Sequence, residues 1–186
     1  MVSNQTIESR SVFAIAGDFL ALTKPRVMSL LLVSAVTGAF LGTGSTPSAA
    51  VFLTVMIGGA LASGGAASLN MAYEGKLDQL MGRTKNRPVA EGRISARAAM
   101  LFGSILNGAA FLVFALMTNM LAASLAIVGT ILYFGLYTVI LKRTTTQNIV
   151  IGGAAGAVPP LVGYAAATGT VDLSAWYLFT IIFFWT

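Results

Sequence analysis

The chain has 186 residues, of which 56% are hydrophobic and only 9% are Asp, Glu, Lys or Arg. Soluble domains carry roughly a quarter charged residues, so this composition excludes both a disordered chain and an ordinary soluble globule. Because the chain contains no cysteine and no histidine, it can supply neither a disulfide framework nor a histidine-based triad or metal site. The net charge of +5 comes from short basic clusters between apolar runs, which is typical of a membrane protein.

Long uncharged stretches predict six membrane spans. A helix needs about 20 apolar residues to cross the hydrocarbon core of a bilayer. Pro159 and Pro160 are expected to kink or break the fifth of these spans. In chain order, the predicted spans are 25–43, 49–72, 97–117, 120–141, 147–168 and a sixth that starts near Leu173 and runs to Thr186.

The distribution of charge predicts the topology. Residues 1–20 include Glu8 and Asp18 and lack a signal-peptide cleavage site, so we expect a soluble or interfacial leader. Basic residues precede the first span and fill the loops after the second and fourth spans, whereas the other loops have none. The positive-inside rule therefore places the N-terminus and the basic loops in the cytoplasm. The sequence therefore predicts an all-α, polytopic membrane bundle.

The segment 68–97 carries the clearest chemistry. Asn70, Glu74 and Asp78 are spaced four residues apart, so a helix that continues through them would present all three on one face. Oxygen ligands suit a hard cation such as Mg²⁺. Water molecules or phosphate oxygens would complete the coordination shell of the cation. Basic side chains near such a site are what a diphosphate needs. They follow directly at Arg83, Lys85 and Arg87.

Charge counting alone favours a plainer interpretation of this segment, a solvated basic loop with a few acids, but the residue order favours a site. The string Asn70-xxx-Glu74-xxx-Asp78-xx-Met81-x-Arg83-Thr84-xx-Arg87-Pro88 resembles the first acidic motif of the UbiA-type intramembrane prenyltransferases. Residues 22–27 and 137–144 resemble the segment leading into that family's first helix and the end of its fourth. Residues 148–161, followed by Gly163, resemble its fifth helix and favour the protohaem IX farnesyltransferase branch.

This resemblance covers 22–186 and implies a fold, a reaction and residue roles. The fold would be a bundle of about nine helices, of which 21–186 would be the first two-thirds. The reaction would transfer a farnesyl group from farnesyl diphosphate to a vinyl group of haem B, making haem O for handover to haem A synthase or terminal oxidase assembly. Asn70, Glu74 and Asp78 would be the catalytic residues that hold Mg²⁺. Diphosphate-binding residues would be Arg83, Arg87, Tyr137 and Lys142, with Lys24 and Arg26 from the first helix.

Four features depart from the family pattern. Gly75-Lys76-Leu77 occupies a stretch where relatives often have Arg-Asp-Ile, which removes one acid from the region. Position 74 is Glu where many relatives have Asp, which keeps the ligand type. Tyr137 and Lys142 are five residues apart, a spacing that turns Lys142 away from Tyr137 on an ideal α-helix unless the helix ends there. No carboxylate follows Asp172, so the second acidic motif is missing. We therefore expect that the chain is a fragment and is inactive alone.

Other functions remain open at this stage. The acidic motif would bind the diphosphate, which all branches of the family share. It therefore does not distinguish haem from a quinone precursor or chlorophyllide as the acceptor. A transporter or structural membrane protein is a second alternative, but a transporter would be expected to place ionisable groups near mid-membrane. Here the ionisable groups lie in the loops.

Nucleic acid is excluded as a partner, because the basic residues are few, scattered and better explained by a diphosphate. The expected partners are the two substrates and the lipid bilayer.

Overall fold

The computed structural model describes residues 11–185, and every regular element among them is a helix, which confirms the predicted all-α fold. The predicted leader is therefore described only from residue 11 onwards, and Glu8 lies outside the described residues. The elements are α1 (Val12–Leu22), α2 (Pro25–Thr43), α3 (Ala49–Asp78), α4 (Ala96–Met117), α5 (Met120–Thr130), a π-helix (Ile131–Leu141), α6 (Lys142–Thr144), α7 (Asn148–Thr168) and α8 (Leu173–Trp185).

Five of these helices are long and apolar enough to cross a membrane. Four of the five match their predicted spans to within about three residues at either end, and α2 matches at both ends. The largest difference is in α3, which continues to Asp78 instead of ending near residue 72. The predicted sixth span corresponds to α8, an apolar helix of 13 residues. The five crossings make the chain a polytopic membrane bundle.

Local sequence signals set the ends of the long helices. The side-chain oxygens of Ser48, Ser95 and Asn119 each accept a hydrogen bond from a backbone N–H in the first turn of α3, α4 and α5, respectively. Such caps satisfy N–H groups that have no partner within the helix. Gly44 and Gly169 follow α2 and α7 in the left-handed conformation, which glycine adopts without a steric penalty.

Close backbone approach holds α2 against α7. A Cβ atom added at Gly38 would overlap the carbonyl oxygen of Pro160, and one added at Gly163 would overlap the carbonyl oxygen of Ala35. These two helices are in direct backbone contact, a mode of packing that small residues permit inside membranes. The helices α3 and α4 form the other extensive contact of the bundle.

Both prolines of the fifth span lie inside a continuous helix. α7 runs from Asn148 to Thr168 with Pro159 and Pro160 in its interior, so the expectation of a break is wrong. Proline removes one backbone donor and crowds the preceding turn, but α7 is packed against α2, α5 and α8. Packing on several sides holds the helix together where the proline residues weaken it.

The outside of the bundle is apolar. Large hydrophobic side chains such as Leu30, Leu116 and Ile181 are mostly exposed, and apolar surface of this extent marks contact with lipid. The buried core between α2, α4, α5 and α7 consists mainly of alanine and valine around Phe114. Three of the buried acidic side chains, at Asp18, Glu74 and Asp78, lie at the end of the bundle that carries the basic loops, which we call the basic end.

We expect Gly163→Ala to destabilise the protein because its Cβ would overlap a backbone oxygen that has no rotamer to change. Overpacking of this kind costs about 1–3 kcal/mol. Thermal unfolding of the purified protein in detergent should show a lower midpoint than wild type. Gly108→Ala is the matched control, since a Cβ there meets nothing within 4 Å. Equal midpoints for the two variants would contradict the direct contact between α2 and α7.

Candidate functional site

A polar pocket of about 140 Å³ lies at the basic end, between the junction of α1 and α2, the end of α3, the loop that follows α3, and the π-helix. Most of the residues predicted for the site line this pocket. Arg26 does not line it, and its side chain is exposed at the start of α2. The full lining is Lys24, Asn70, Glu74, Asp78, Met81, Arg83, Thr84, Arg87, Tyr133, Tyr137 and Lys142.

The three predicted metal ligands share one buried face of α3. Asn70, Glu74 and Asp78 are all nearly inaccessible to solvent. With 30 residues, α3 is about 45 Å long, whereas the hydrocarbon core is about 30 Å thick. The extra turns carry the polar residues beyond the hydrocarbon region while keeping them in helical register. The predicted face exists because α3 continues past the predicted end of its span.

Each carboxylate on this face has a basic partner. The Lys142 ammonium forms an ion pair with Glu74. Arg87 Nη1 donates to both carboxylate oxygens of Asp78, at 3.0 and 2.8 Å. Buried charges are stable only when they are paired and hydrogen-bonded, so these contacts tie the loop after α3 and the end of the π-helix to α3.

Lys24 reaches the same face from the start of α2. Its Nζ donates to Asn70 Oδ1 at 2.8 Å and to Tyr133 Oη at 3.4 Å. Burial, with a further contribution from the nearby Arg87, lowers the pKa of Lys24 to about 8. Among the residues that the structure describes, Lys24 is the one non-glycine residue with a positive φ, which is 51°. Strain of this kind persists where surrounding contacts enforce it, often at functional sites.

The π-helix explains how Tyr137 and Lys142 face one pocket. On an α-helix their five-residue spacing would turn them apart, as expected from the sequence. The segment Ile131–Leu141 is π-helical, with hydrogen bonds between residues five apart, so this spacing returns to one side. Tyr133 also stacks on Tyr137, with ring centroids 6.0 Å apart. π-Helical segments are rare in proteins and occur frequently at functional sites.

Thr138 is a site residue that was not predicted from the sequence. Its hydroxyl is buried and donates to the carbonyl of Tyr133 at 2.9 Å, so it can only accept from Asn70 Nδ2, at 3.1 Å. The second amide hydrogen of Asn70 goes to Glu74 Oε2 at 3.1 Å. The Oδ1 atom of Asn70 must therefore face Lys24. The sequence offered no distinct signal, since the same predicted span also contains Ser124 and Thr130.

A second cavity, of about 250 Å³, lies next to the polar pocket. Its walls are the apolar and small side chains of α2, α3, α5 and α7, with Phe114 contributed by α4. Lys24 and Tyr133 line both spaces, so the polar pocket and the apolar cavity adjoin at these two residues. The combination accommodates a molecule with an anionic head and a hydrocarbon chain.

The loop between α3 and α4 closes one side of the polar pocket. The Thr84 hydroxyl donates to the backbone carbonyl of Asp78 at 3.2 Å, and Gln79 Nε2 donates to the carbonyl of Ala90 at 2.8 Å. Val89 and Ile94 of this loop pack in a buried cluster with Leu22. These contacts fold the loop back onto α3 and bring Arg83 and Arg87 to the pocket.

The oxygen atoms of the pocket suit a hard divalent cation, but only together with an anionic ligand. Between residues 11 and 185, no three His, Cys, Asp or Glu side chains are close enough to hold a metal ion by themselves. Mg²⁺ commonly binds one or two carboxylates and completes its shell with phosphate oxygens and water. Glu74 and Asp78 are two carboxylates of this kind on one helix face, so they could hold Mg²⁺ together with an anionic ligand.

Comparison with known proteins identifies close relatives. The chain is 51% identical over 172 residues to the "Protoheme IX farnesyltransferase" of Chloroflexus aurantiacus, a match that covers 92% of this chain and 29% of that relative. A protein of the same name from Thermus thermophilus is 52% identical over 91% of this chain and 28% of its own length. A third, from a Synechococcus species, is 46% identical over 96% of this chain and 54% of its own length.

These matches confirm the resemblance to the protohaem IX farnesyltransferases. The chain spans less than a third of the first two relatives and about half of the third. No solved structure matches the chain. The model of the UbiA prenyltransferase family matches residues 31–186, which is most of the sequence, and the chain therefore belongs to the UbiA prenyltransferase family.

Proposed function

We propose that the protein transfers the farnesyl group of farnesyl diphosphate to a vinyl group of protohaem IX (haem B) to make haem O. The observation that carries this proposal is the junction of the polar pocket with the apolar cavity at Lys24 and Tyr133. Family membership supports prenyl transfer, and the names of the relatives support this donor class and this acceptor.

The basic residues of the pocket would bind the diphosphate. The side chains of Arg87 and Lys142 are 25% and 38% exposed, whereas their partners Asp78 and Glu74 are only 5% and 6% exposed. The bases are therefore the partners that can turn outward, where an arginine forms strong charge-assisted bonds with phosphate oxygens. Arg83 lies on the same wall and would add a further positive charge.

With Arg87, Lys142 and Lys24 turned to the diphosphate, the polar face of α3 would hold Mg²⁺. Glu74 and Asp78 would supply carboxylate oxygens, and Asn70 would supply the Oδ1 that Thr138 and Glu74 orient. Bound Mg²⁺ would stabilise the negative charge that develops on the departing pyrophosphate. Arg87 and Lys142 would add positive charge that acts in the same direction.

The apolar cavity would hold the farnesyl chain. Burial of hydrocarbon contributes about 0.8 kcal/mol per CH₂ group, and a closed apolar wall keeps water from the allylic cation. The bond between the allylic carbon and the diphosphate oxygen would break at the junction, with the electron pair leaving on pyrophosphate. Tyr133 and Tyr137 present aromatic faces near this position, where a ring quadrupole favours a cation.

The membrane orientation and wider context are also proposals. The positive-inside rule favours a cytoplasmic location for the basic end, in a prokaryotic inner membrane. The division at residue 20 into a leader and a prenyltransferase domain is an interpretation of the sequence pattern, and so is handover of haem O to haem A synthase or terminal oxidase assembly. Substrate binding by Arg26 also stays a prediction, since its side chain is outside the pocket.

The reaction can be tested by expressing the complete gene that encodes this chain in a host lacking its own haem O synthase. Haems are then extracted and analysed by mass spectrometry. We expect a farnesylated haem that depends on the gene. Prenylation of a quinone precursor or of chlorophyllide with no change in haem would contradict the proposed acceptor while keeping the reaction class.

We expect Asp78→Asn, introduced into the same complete gene, to reduce haem O formation roughly 10²-fold or more, because it removes a carboxylate that would hold the Mg²⁺ that stabilises the leaving group. The rate of haem O formation per unit of membrane-inserted protein is the measurement. Lys76→Gln is the matched control, since Lys76 is on the same helix end but is exposed on another face. Equal losses in both variants would contradict the assignment of the buried face.

Thr138→Val should raise the Mg²⁺ concentration needed for half-maximal activity by about 10–100-fold, as loss of a residue that orients a metal ligand does. The variant keeps the shape of the side chain but leaves Asn70 free to turn. Thr138→Ser restores the hydroxyl and should restore the wild-type Mg²⁺ dependence. A change in the maximal rate alone, with the same Mg²⁺ requirement, would contradict a role in orienting Asn70.

A further inference from the structure

The exposed face of α1 is unusual for a helix outside the membrane spans. Phe13 is 87% exposed, Val12 78% and Leu20 60%, whereas Asp18, the one charged residue of this helix, is buried. A helix in water shows the opposite arrangement, with apolar side chains inside and charges outside. The outer surface of α1 is therefore suited to an apolar environment.

The position of α1 coincides with the edge of the bilayer. Its last residue precedes Pro25, the first residue of α2, by three positions. The Phe19 ring packs edge-on against Phe102, with centroids 5.0 Å apart. Phe102 lies about 9 Å along α4 from the start of that helix at Ala96. Interfacial helices bury their apolar face about 5–10 Å into the boundary between headgroups and acyl chains.

The neighbouring surface favours lipid as the occupant of this face. Leu30 and Val33 in the first half of α2 are exposed and belong to the lipid-facing surface of a membrane-spanning helix. The apolar face of α1 comes directly before this helix in the chain. Arg26 and Arg97 are exposed at the same end of the bundle, where anionic headgroups attract basic side chains.

The inner face of α1 contacts the loop that closes the polar pocket. Asp18 forms an ion pair with Arg93, and Arg93 Nη2 donates to the carbonyl of Asn86 at 2.9 Å, directly before Arg87. Leu22 lies in the buried cluster that includes Val89 and Ile94. The helix thus has one surface for lipid and another that supports residues 79–95.

We propose that α1 is an interfacial helix that binds the lipid surface through Val12, Phe13 and Leu20 and holds the 79–95 loop over the polar pocket through Asp18 and Leu22. Lipid contact fixes the position of α1, and α1 fixes the loop. The proposal concerns packing and membrane contact, so it is independent of the reaction assigned above.

Lipid contact is tested with a nitroxide label at Phe13→Cys in the chain, which has no cysteine of its own. The protein is placed in vesicles of phosphatidylethanolamine and phosphatidylglycerol, and the accessibility of the label to oxygen and to a water-soluble nickel chelate is measured. Leu80→Cys is the control, since Leu80 is 85% exposed in the basic loop. We expect high oxygen and low nickel accessibility at 13, and high nickel accessibility at 80.

Two results would overturn lipid contact. Nickel accessibility at position 13 equal to that at position 80 would mean that α1 faces water. Exclusion of both reagents from position 13 would mean that protein, from this chain or a second copy, covers the face instead of lipid.

Support of the loop is tested by tryptic cleavage after Lys85 in the same vesicles. Phe13→Glu should raise the cleavage rate about tenfold, because proteolysis follows the population of the open loop. Phe13→Leu keeps the apolar contact and should cleave at the wild-type rate. Since Phe13 is exposed, neither change disturbs the protein core. An unchanged rate for Phe13→Glu, when the label at Phe13→Cys has shown lipid contact, would overturn the coupling between α1 and the loop.

Discussion

The organisation of the basic end depends on the neutralisation of two buried carboxylates. Glu74 and Asp78 lie on α3 away from solvent, and each needs a positive partner. Lys142 comes from the end of the fourth span and Arg87 from the loop after α3. Removing one partner from such a pair costs about 3–5 kcal/mol. The pairs therefore join three separate parts of the chain and also create the positive groups that an anionic substrate would use.

A single helix builds both halves of the site. The middle of α3 contributes small residues, including Gly59 and Ala62, to the apolar cavity. Its last turns carry the polar face. Because α3 exceeds the thickness of the hydrocarbon core, the change from apolar to polar lining occurs along one rigid element. A long amphiphilic ligand would have its head and its chain positioned by the same helix.

The fourth span uses an irregular helix to meet α3. A π-helical segment sets Tyr133, Tyr137 and Lys142 toward the pocket and leaves Thr138 to fix the amide of Asn70. Tyr137 lies four residues after Tyr133 and five before Lys142. On a regular α-helix the five-residue step would turn Lys142 away from the pocket. Contacts from Thr138 and Lys142 to the polar face of α3 hold this irregular segment in place.

The sequence by itself determined the spans and the acidic face, because hydropathy and a four-residue spacing are local properties that a helix expresses wherever it packs. The start and end of α2 and the grouping of Asn70 with Glu74 followed in this way. Only the tertiary structure decided that Thr138 contacts Asn70, 68 residues away, that Arg26 lies outside the pocket and that α7 continues through its prolines. These outcomes depend on which helices pack together, and no local pattern encodes that choice.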